Sequence, residues 1–142
     1  MPAPPPPNVD LLLALLDESY DHKAWHGPTL RGALRRVTTA QAAWRPAPRR
    51  HNIAEIAVHA AYWKYAVRRR LRGDRRGSFP LTGSNWFRMD RVTEDAWRQA
   101  CDLLDDQHRQ LRETVAVLSP HMLVMKTRRT ATKTPPLRLI YG

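Results

Sequence analysis

Histidines are the residues of this chain best suited to bind a metal ion. Two of the six, His22 and His26, lie four residues apart, a spacing that places both imidazoles on one face of a helix. A third, His59, lies inside another segment with helical periodicity. A catalytic divalent ion needs about three protein ligands and one open position. Neither pattern is a complete metal site without further partners.

The segment from His51 to Leu71 predicts an amphipathic helix that carries His59 at the edge of its apolar face. At about 100° per residue, His59 is roughly 40° from Trp63 and roughly 60° from Ile56. We therefore expect its imidazole to face the interior of a bundle, either as a hydrogen-bonded core residue or as a metal ligand. The predicted apolar face, with its three- and four-residue steps, consists of Ile53, Ile56, Ala57, Ala60, Trp63, Val67 and Leu71.

Other candidate residues have simpler explanations. His108 and Cys101 share the apolar stripe of a later helix, so we expect His108 to be structural, and acidic neighbours would raise the thiol pKa of Cys101. Glu55 either closes a capping box with Asn52 or orients the His59 ring as an outer carboxylate. The sequence contains no Ser-His-Asp pattern, glycine-rich phosphate loop or HExxH motif.

Helices dominate the predicted structure. The first begins at Asn8 or Asp10 and runs to about His26, where a Gly-Pro pair interrupts it before a short helical restart. Residues 1–8 ahead of it are predicted as a flexible proline-rich tail.

Two further helices flank a long connection. Asn52 caps the second helix, which ends near Arg72, and residues 74–92 follow as a loop whose aromatic residues indicate that it is pinned over an apolar surface. Thr93 caps the third helix, and residues 119–142 are predicted as an irregular basic tail. The aromatic residues of the loop are Phe79, Trp86 and Phe87.

The net charge of +11 is concentrated in one third of the chain. Residues 31–76 hold thirteen basic side chains and two acids, and the remainder is neutral. Such a field attracts nucleic acid or small anions, or is a solvated arginine-rich surface. No helix-turn-helix, zinc-finger or RNA-binding motif accompanies it, so a nucleic-acid function is the weakest of the alternatives.

Composition sets the cellular setting that we expect. The single cysteine excludes an internal disulfide framework and suits a reducing cytoplasm. No apolar run approaches the roughly 20 residues of a membrane span, and the start of the chain lacks the features of a secretory signal.

Several stretches together resemble the DinB-like family of bacterial four-helix-bundle proteins. They are AWHGPTLRGALRRVTTAQAAWRPAP, HNIAEIAVHAAYWKYAVRRRL, RRGSFPLTGSNWF, TEDAWRQACDLLDDQHRQLRETV and the closing LRLIYG. The resemblance covers about residues 9–118, which we take as the helical domain, and the last six residues. It implies an all-α, up-and-down four-helix bundle.

The same resemblance implies a divalent metal, zinc or nickel, bound by three histidines. One ligand comes from the second helix, and two, spaced H-x-x-x-H, come from the last. His59 matches the first ligand, while the other two have no counterpart, because the chain stops where the ligand-bearing helix should start. The fourth helix is therefore expected to be largely missing. His26 belongs to the family-like segment and is expected to line the same pocket as His59.

Relatives of this kind include metal-dependent thiol transferases and hydrolases, in which the metal activates a thiol or a water for attack on a small molecule. We expect this chain to be a homodimeric cytoplasmic relative with weak metal binding and impaired catalysis. The alternative from a different class is a non-catalytic oligomerisation or binding module, whose apolar groove lacks a helix and invites association.

Overall fold

The computed structural model describes Met1, residues 7–125 and residues 134–141. Within these ranges every regular element is a helix and no strand occurs, so the all-α prediction is confirmed. The helices are α1 Pro7–Tyr20, α2 Leu30–Leu34, α3 Thr39–Ala43, α4 Ile53–Arg72, α5 Glu94–Ala116, α6 Pro120–Val124 and α7 Pro136–Tyr141. None of the described helices is long and apolar enough to cross a membrane.

The two longest helices begin where their capping residues predict. Asn52 caps α4 and Thr93 caps α5, each accepting the backbone N–H three residues later. Gly73 ends α4 with a φ of 72°, a left-handed conformation that glycine adopts without a Cβ clash. Local capping chemistry therefore fixes both ends of α4 and the start of α5.

The first helix is shorter than predicted. It ends at Tyr20, where the N–H groups of Asp21 and His22 both bond to the Asp17 carbonyl and tighten the last turn. His22 and His26 therefore share no helical face, and that part of the prediction is wrong. The helical restart, α2, begins only after Pro28, because Thr29 is its N-cap.

Two apolar clusters form the core, one at each end of the bundle. The first unites Ala54, Ala57, Val58 and Ala61 of α4 with Trp97, Ala100, Cys101 and Leu104 of α5. The second unites Val9, Leu12, Leu13 and Leu16 of α1 with Leu71, Leu111 and Val115.

The amino-terminal halves of α4 and α5 thus lie together, so these helices run parallel and α1 runs antiparallel to them. The up-and-down order is wrong in this detail, because the long loop returns the chain to its starting end.

The buried face of α4 differs from the predicted one. Its core residues include Ala54, Val58 and Ala61, whereas Ile56 and Trp63 are 45% and 39% exposed. The small alanine side chains let α4 approach α5 closely, and this packing outweighs the burial of the larger residues. His59 therefore points toward the long loop and not into the bundle core.

The carboxyl-terminal stretch is more regular than the irregular tail that the sequence predicts. Within residues 119–142, α6 and α7 are helical, and Leu123 and Ile140 pack into the second cluster. Residues 126–133 and 142 lie outside the described residues, as do residues 2–6 of the proline-rich tail. In the described part of the final stretch, α7 alone follows α6, and it packs on α4 and α6.

Candidate functional site

Glu55 joins the start of α4 to the long loop. It completes the capping box with Asn52, and its carboxylate accepts the backbone N–H of Met89 at 2.8 Å. Arg45 pairs with both oxygens of the same carboxylate, one of them at 2.8 Å. Burial alone would raise the pKa of Glu55, but the Arg45 guanidinium and the surrounding hydrogen bonds lower it to about 2. The carboxylate is thus held ionised in the interior.

His59 is oriented by Asn85 of the loop and not by Glu55. Its Nδ1 lies 2.7 Å from the Asn85 backbone oxygen, and since a carbonyl only accepts, Nδ1 carries the proton. Trp63 Nε1 donates to the Asn85 side-chain oxygen at 2.9 Å. Asn85 has a φ of 66°, a left-handed conformation that asparagine tolerates better than most residues. In the neutral His59 imidazole the lone pair is therefore on Nε2.

Trp86 lies between two imidazoles. Its ring centroid is 3.5 Å from that of His51 and 3.7 Å from that of His59, with interplanar angles of 3° and 7°. Two imidazoles that both stack this closely on one indole cannot share a face of it without overlapping. His51 and His59 therefore cover opposite faces of the Trp86 indole. This sandwich fixes the plane of the His59 ring, in addition to its hydrogen bond to Asn85.

The His59 geometry fits one metal-ligand position but not a full ligand set. Metal-binding histidines commonly donate their second N–H to a carbonyl, as His59 does to Asn85. Among the residues that the structure describes, no group of three or more His, Cys, Asp or Glu side chains could hold a metal ion. Within the described ranges the side chains do not assemble a three-ligand site, and no catalytic step through a metal is derived from them.

The remaining sequence candidates lie elsewhere. His26 is exposed beside Trp25, with ring centroids 6.3 Å apart, and it lines none of the described cavities. His108 is 6% exposed in the core, as the sequence predicts for a structural residue. Burial, and to a smaller extent Asp105 and Asp102, raises the pKa of the Cys101 thiol, so the predicted direction holds but its main cause is burial.

An apolar cleft of about 430 Å³ lies between the loop and α5, beside the Trp86 sandwich. The loop residue Phe87 is buried in the first apolar cluster of the core, and Phe79 packs against that cluster. This confirms that aromatic residues pin the loop to the bundle. The cleft is large enough for a small-molecule ligand. Its walls include Val58, Leu81, Phe87, Met89, Ala100 and Leu103.

Sequence reasoning missed Asn85, Arg45 and the pairing of His51 with Trp86. A weak signal exists for Asn85, because asparagine in a Gly-Ser-Asn loop is among the residues that adopt positive φ. In the sequence Arg45 is one of the basic residues of the 31–76 segment, and nothing in its spacing indicates a partner ten residues later. These contacts depend on where the long loop folds back, which local pattern does not specify.

Together the three long helices and the oriented His59 define a helical-bundle domain of the type that builds ligand sites from side chains on its helices. A family model of the DinB superfamily matches residues 22–141, and the chain therefore belongs to the DinB superfamily. Comparisons with curated proteins and with solved structures gave no match.

Proposed function

We propose that this chain is a DinB-type domain related to metal-dependent thiol transferases and hydrolases, with His59 as its one retained metal-ligand position. The proposed ion is zinc or nickel, and the proposed substrate is a thiol or another small molecule in the cytoplasm. The observation that carries the proposal is the hydrogen bond from His59 Nδ1 to Asn85, which leaves Nε2 as the coordinating nitrogen. The adjacent apolar cleft is the proposed substrate site.

We further propose that the chain alone is catalytically impaired. One histidine supplies too few ligands for a catalytic ion, which needs about three. The described contacts of His59 are with Asn85, Trp63 and Trp86, and the Glu55 carboxylate, one turn earlier on α4, is paired with Arg45 and Met89. Metal binding by the chain alone should therefore be no tighter than at a chance surface site.

Calorimetric titration of the purified chain with zinc and nickel, followed by elemental analysis, tests both statements. We expect no stoichiometric binding. Fusion of a helix bearing H-x-x-x-H to the carboxyl terminus should create one site per chain, which His59→Ala abolishes. His121→Ala is the matched control, because His121 is an exposed histidine on α6.

Two outcomes contradict these proposals. One metal per unmodified chain, lost when His59→Ala is combined with His22→Ala or His26→Ala, would mean that the segment after α1 supplies ligands. Stoichiometric binding by the fusion that survives His59→Ala would remove His59 from the site.

A second candidate is a non-catalytic association module that forms a homodimer. Ile56 and Trp63 expose apolar surface on the outer face of α4, and the 39% exposed Trp86 of the loop stacks on His59, which also contacts Trp63. Contiguous apolar surface of this kind is typical of interaction sites. Light scattering on the wild-type chain and on Ile56→Glu tests it, with Leu15→Glu on exposed α1 surface as control. A monomer at the highest soluble concentration would exclude the homodimer.

Nucleic-acid binding through residues 31–76 is the least favoured candidate. Two of these basic side chains have partners within the protein, because Arg45 pairs with Glu55 and Lys64 contacts His108. Binding of this type would weaken steeply as salt rises. Titration of duplex and single-stranded DNA at two salt concentrations separates it from the other candidates.

A further inference from the structure

A layer of polar side chains separates the two apolar clusters of the core. Asp17 of α1, Lys64 of α4 and His108 of α5 meet there, midway along the bundle. Polar groups in such a position are costly unless each finds a partner. We call the following six residues the polar layer: Asp17, Tyr20, Lys64, Asp105, His108 and Arg112.

Most donors and acceptors of the polar layer are paired. The Tyr20 hydroxyl donates to Asp105, whose carboxylate also accepts Arg31 Nε at 2.8 Å. Asp17 accepts two N–H groups of Arg112, at 2.7 and 2.8 Å. The Tyr20 ring stacks on His108 with centroids 3.8 Å apart, so the imidazole plane is fixed.

His108 is the exception. Lys64 Nζ lies 3.1 Å from His108 Nδ1, and since an ammonium only donates, Nδ1 accepts and the ring proton is on Nε2. Burial lowers the pKa of Lys64 to about 8, and burial together with the Lys64 charge lowers that of His108 to about 4. At neutral pH the lysine is thus charged and the imidazole neutral. The buried Nε2–H has no hydrogen-bond partner among the described residues.

The unpaired His108 Nε2–H lies near the carboxylate of Asp17 but does not bond to it directly. Asp17 Oδ1 lies 4.0 Å from Nε2, too far for a direct hydrogen bond. An oxygen atom about 2.8 Å from each would bridge them. That oxygen must accept from His108 and donate to Asp17, and a hydroxyl group does both.

The polar layer opens into a cleft of about 550 Å³ with an excess of positive charge. Four arginines and three aspartates line the cleft, and Lys64 contacts His108, which is also part of the lining. Arg31 and Arg112 are paired with aspartates of the lining, whereas Arg35 makes no ion pair among the described residues. An anionic group in the cleft would therefore meet a guanidinium that forms no ion pair with the described residues.

We propose that this cleft binds a small organic anion that carries a hydroxyl group, a hydroxycarboxylate or the phosphate ester of a polyol. The hydroxyl bridges His108 Nε2 and Asp17 Oδ1, and the anionic group pairs with Arg35. The site is separate from His59, which contacts the long loop on another face of α4. Its ligand is recognised without a metal.

Calorimetry and NMR with simple probes test the proposal. Glycolate has both groups, acetate lacks the hydroxyl, glycerol lacks the charge, and glycerol 3-phosphate replaces the carboxylate. We expect glycolate or glycerol 3-phosphate to bind about tenfold tighter than acetate and glycerol, the effect of one good hydrogen bond or ion pair. Long-range proton–nitrogen spectra should show His108 protonated on Nε2, with a signal that moves on binding.

Variants locate the binding. His108→Phe keeps the ring stack on Tyr20 but removes the donor, and should weaken glycolate binding about tenfold. Arg35→Gln tests the charge without touching the core, and Arg36→Gln is its matched exposed control outside the cleft lining. His59→Ala should leave glycolate binding unchanged, so a failure of the metal proposal does not affect this one.

Several results would overturn the proposal. Equal affinity for glycolate, acetate and glycerol would show that no ligand hydroxyl bridges His108 Nε2 and Asp17 Oδ1. Binding that Arg35→Gln and Arg36→Gln weaken equally would reflect general surface charge. No probe-dependent movement of the His108 signal would mean that water alone satisfies Nε2.

Discussion

Arg45 Nη1 lies 2.8 Å from Glu55 Oε2, and this pair connects the segment before α4 with the first turn of α4. Arg45 also donates to the carbonyls of Arg50 at 2.7 Å and Met89 at 3.3 Å. The long loop is thereby tied down three residues after Trp86 and four after Asn85. The ion pair therefore supports the loop contacts that orient His59.

Glu55→Gln should destabilise the fold by about 3 kcal/mol, at the lower end of the range for breaking a buried pair. Glu55 is 2% exposed, and the substitution leaves the Arg45 guanidinium with only the exposed Asp90 carboxylate, 3.4 Å away. Urea unfolding gives the free energy. Glu113→Gln, which breaks an exposed pair with Arg109, is the control and should change it by less than about 1 kcal/mol. Equal effects would contradict a structural role for the pair.

Stability should fall in two acid steps with separate origins. His108 has a pKa of about 4, below its ordinary value near 6.5, so the unfolded chain binds more protons and stability falls from about pH 6.5 to 4. The pKa of Glu55 is about 2 against an ordinary 4.5, so its contribution is present above about pH 4.5 and lost as pH falls toward 2. Unfolding free energies across this range give both steps.

Variants assign each step. His108→Phe should flatten the upper step and leave the lower one, while Glu55→Gln should do the reverse. A pH profile that neither substitution alters would show that other groups control acid stability.

His59→Ala should cost about 1–3 kcal/mol of stability. It removes the hydrogen bond to Asn85 and one face of the Trp86 stack. His51→Ala removes the other face together with a 3.2 Å contact to Glu55 Oε2, and is the comparison. Thermal unfolding measures both, and tryptophan fluorescence reports whether Trp86 leaves the stack. If His59→Ala is neutral while His51→Ala is not, the Asn85 hydrogen bond contributes nothing to the fold.

Local sequence signals predict the helices well and their faces poorly. The caps at Asn52 and Thr93 and the stop at Gly73 depend on side chains within a few residues, and each is found where predicted. The predicted face of α4 is wrong because Ile56 and Trp63 outweigh alanine on a hydropathy scale but remain exposed in the structure. Close helix packing instead favours the alanine face, and only the partner helix reveals this.

The candidate site was predictable to the same limited extent. His59 was identified, but its partners Asn85 and Trp86 lie more than 25 residues away in a loop without periodicity. In the sequence Lys64 is one of the thirteen basic residues of the 31–76 segment, whereas the structure places its ammonium 3.1 Å from His108 Nδ1. Charged residues give no local indication of burial when their partners come from other helices, as here with Lys64 of α4 and His108 of α5.

Lys64→Met should stabilise the fold by about 1–2 kcal/mol at pH 7. Burial lowers the pKa of Lys64 from 10.5 to about 8, so the charged form is disfavoured in the folded state. Between pH 8 and 10.5 Lys64 is protonated in the unfolded wild-type chain but loses its proton in the folded one. The free energy of unfolding of the wild type therefore rises with pH relative to that of the variant. The advantage of Lys64→Met should therefore shrink over that window, as unfolding at pH 7, 9 and about 10.5 would measure. Lys23→Met, at an exposed position, should show no such trend. A constant difference between Lys64→Met and wild type at all three pH values would show that packing, and not the buried charge, sets the effect.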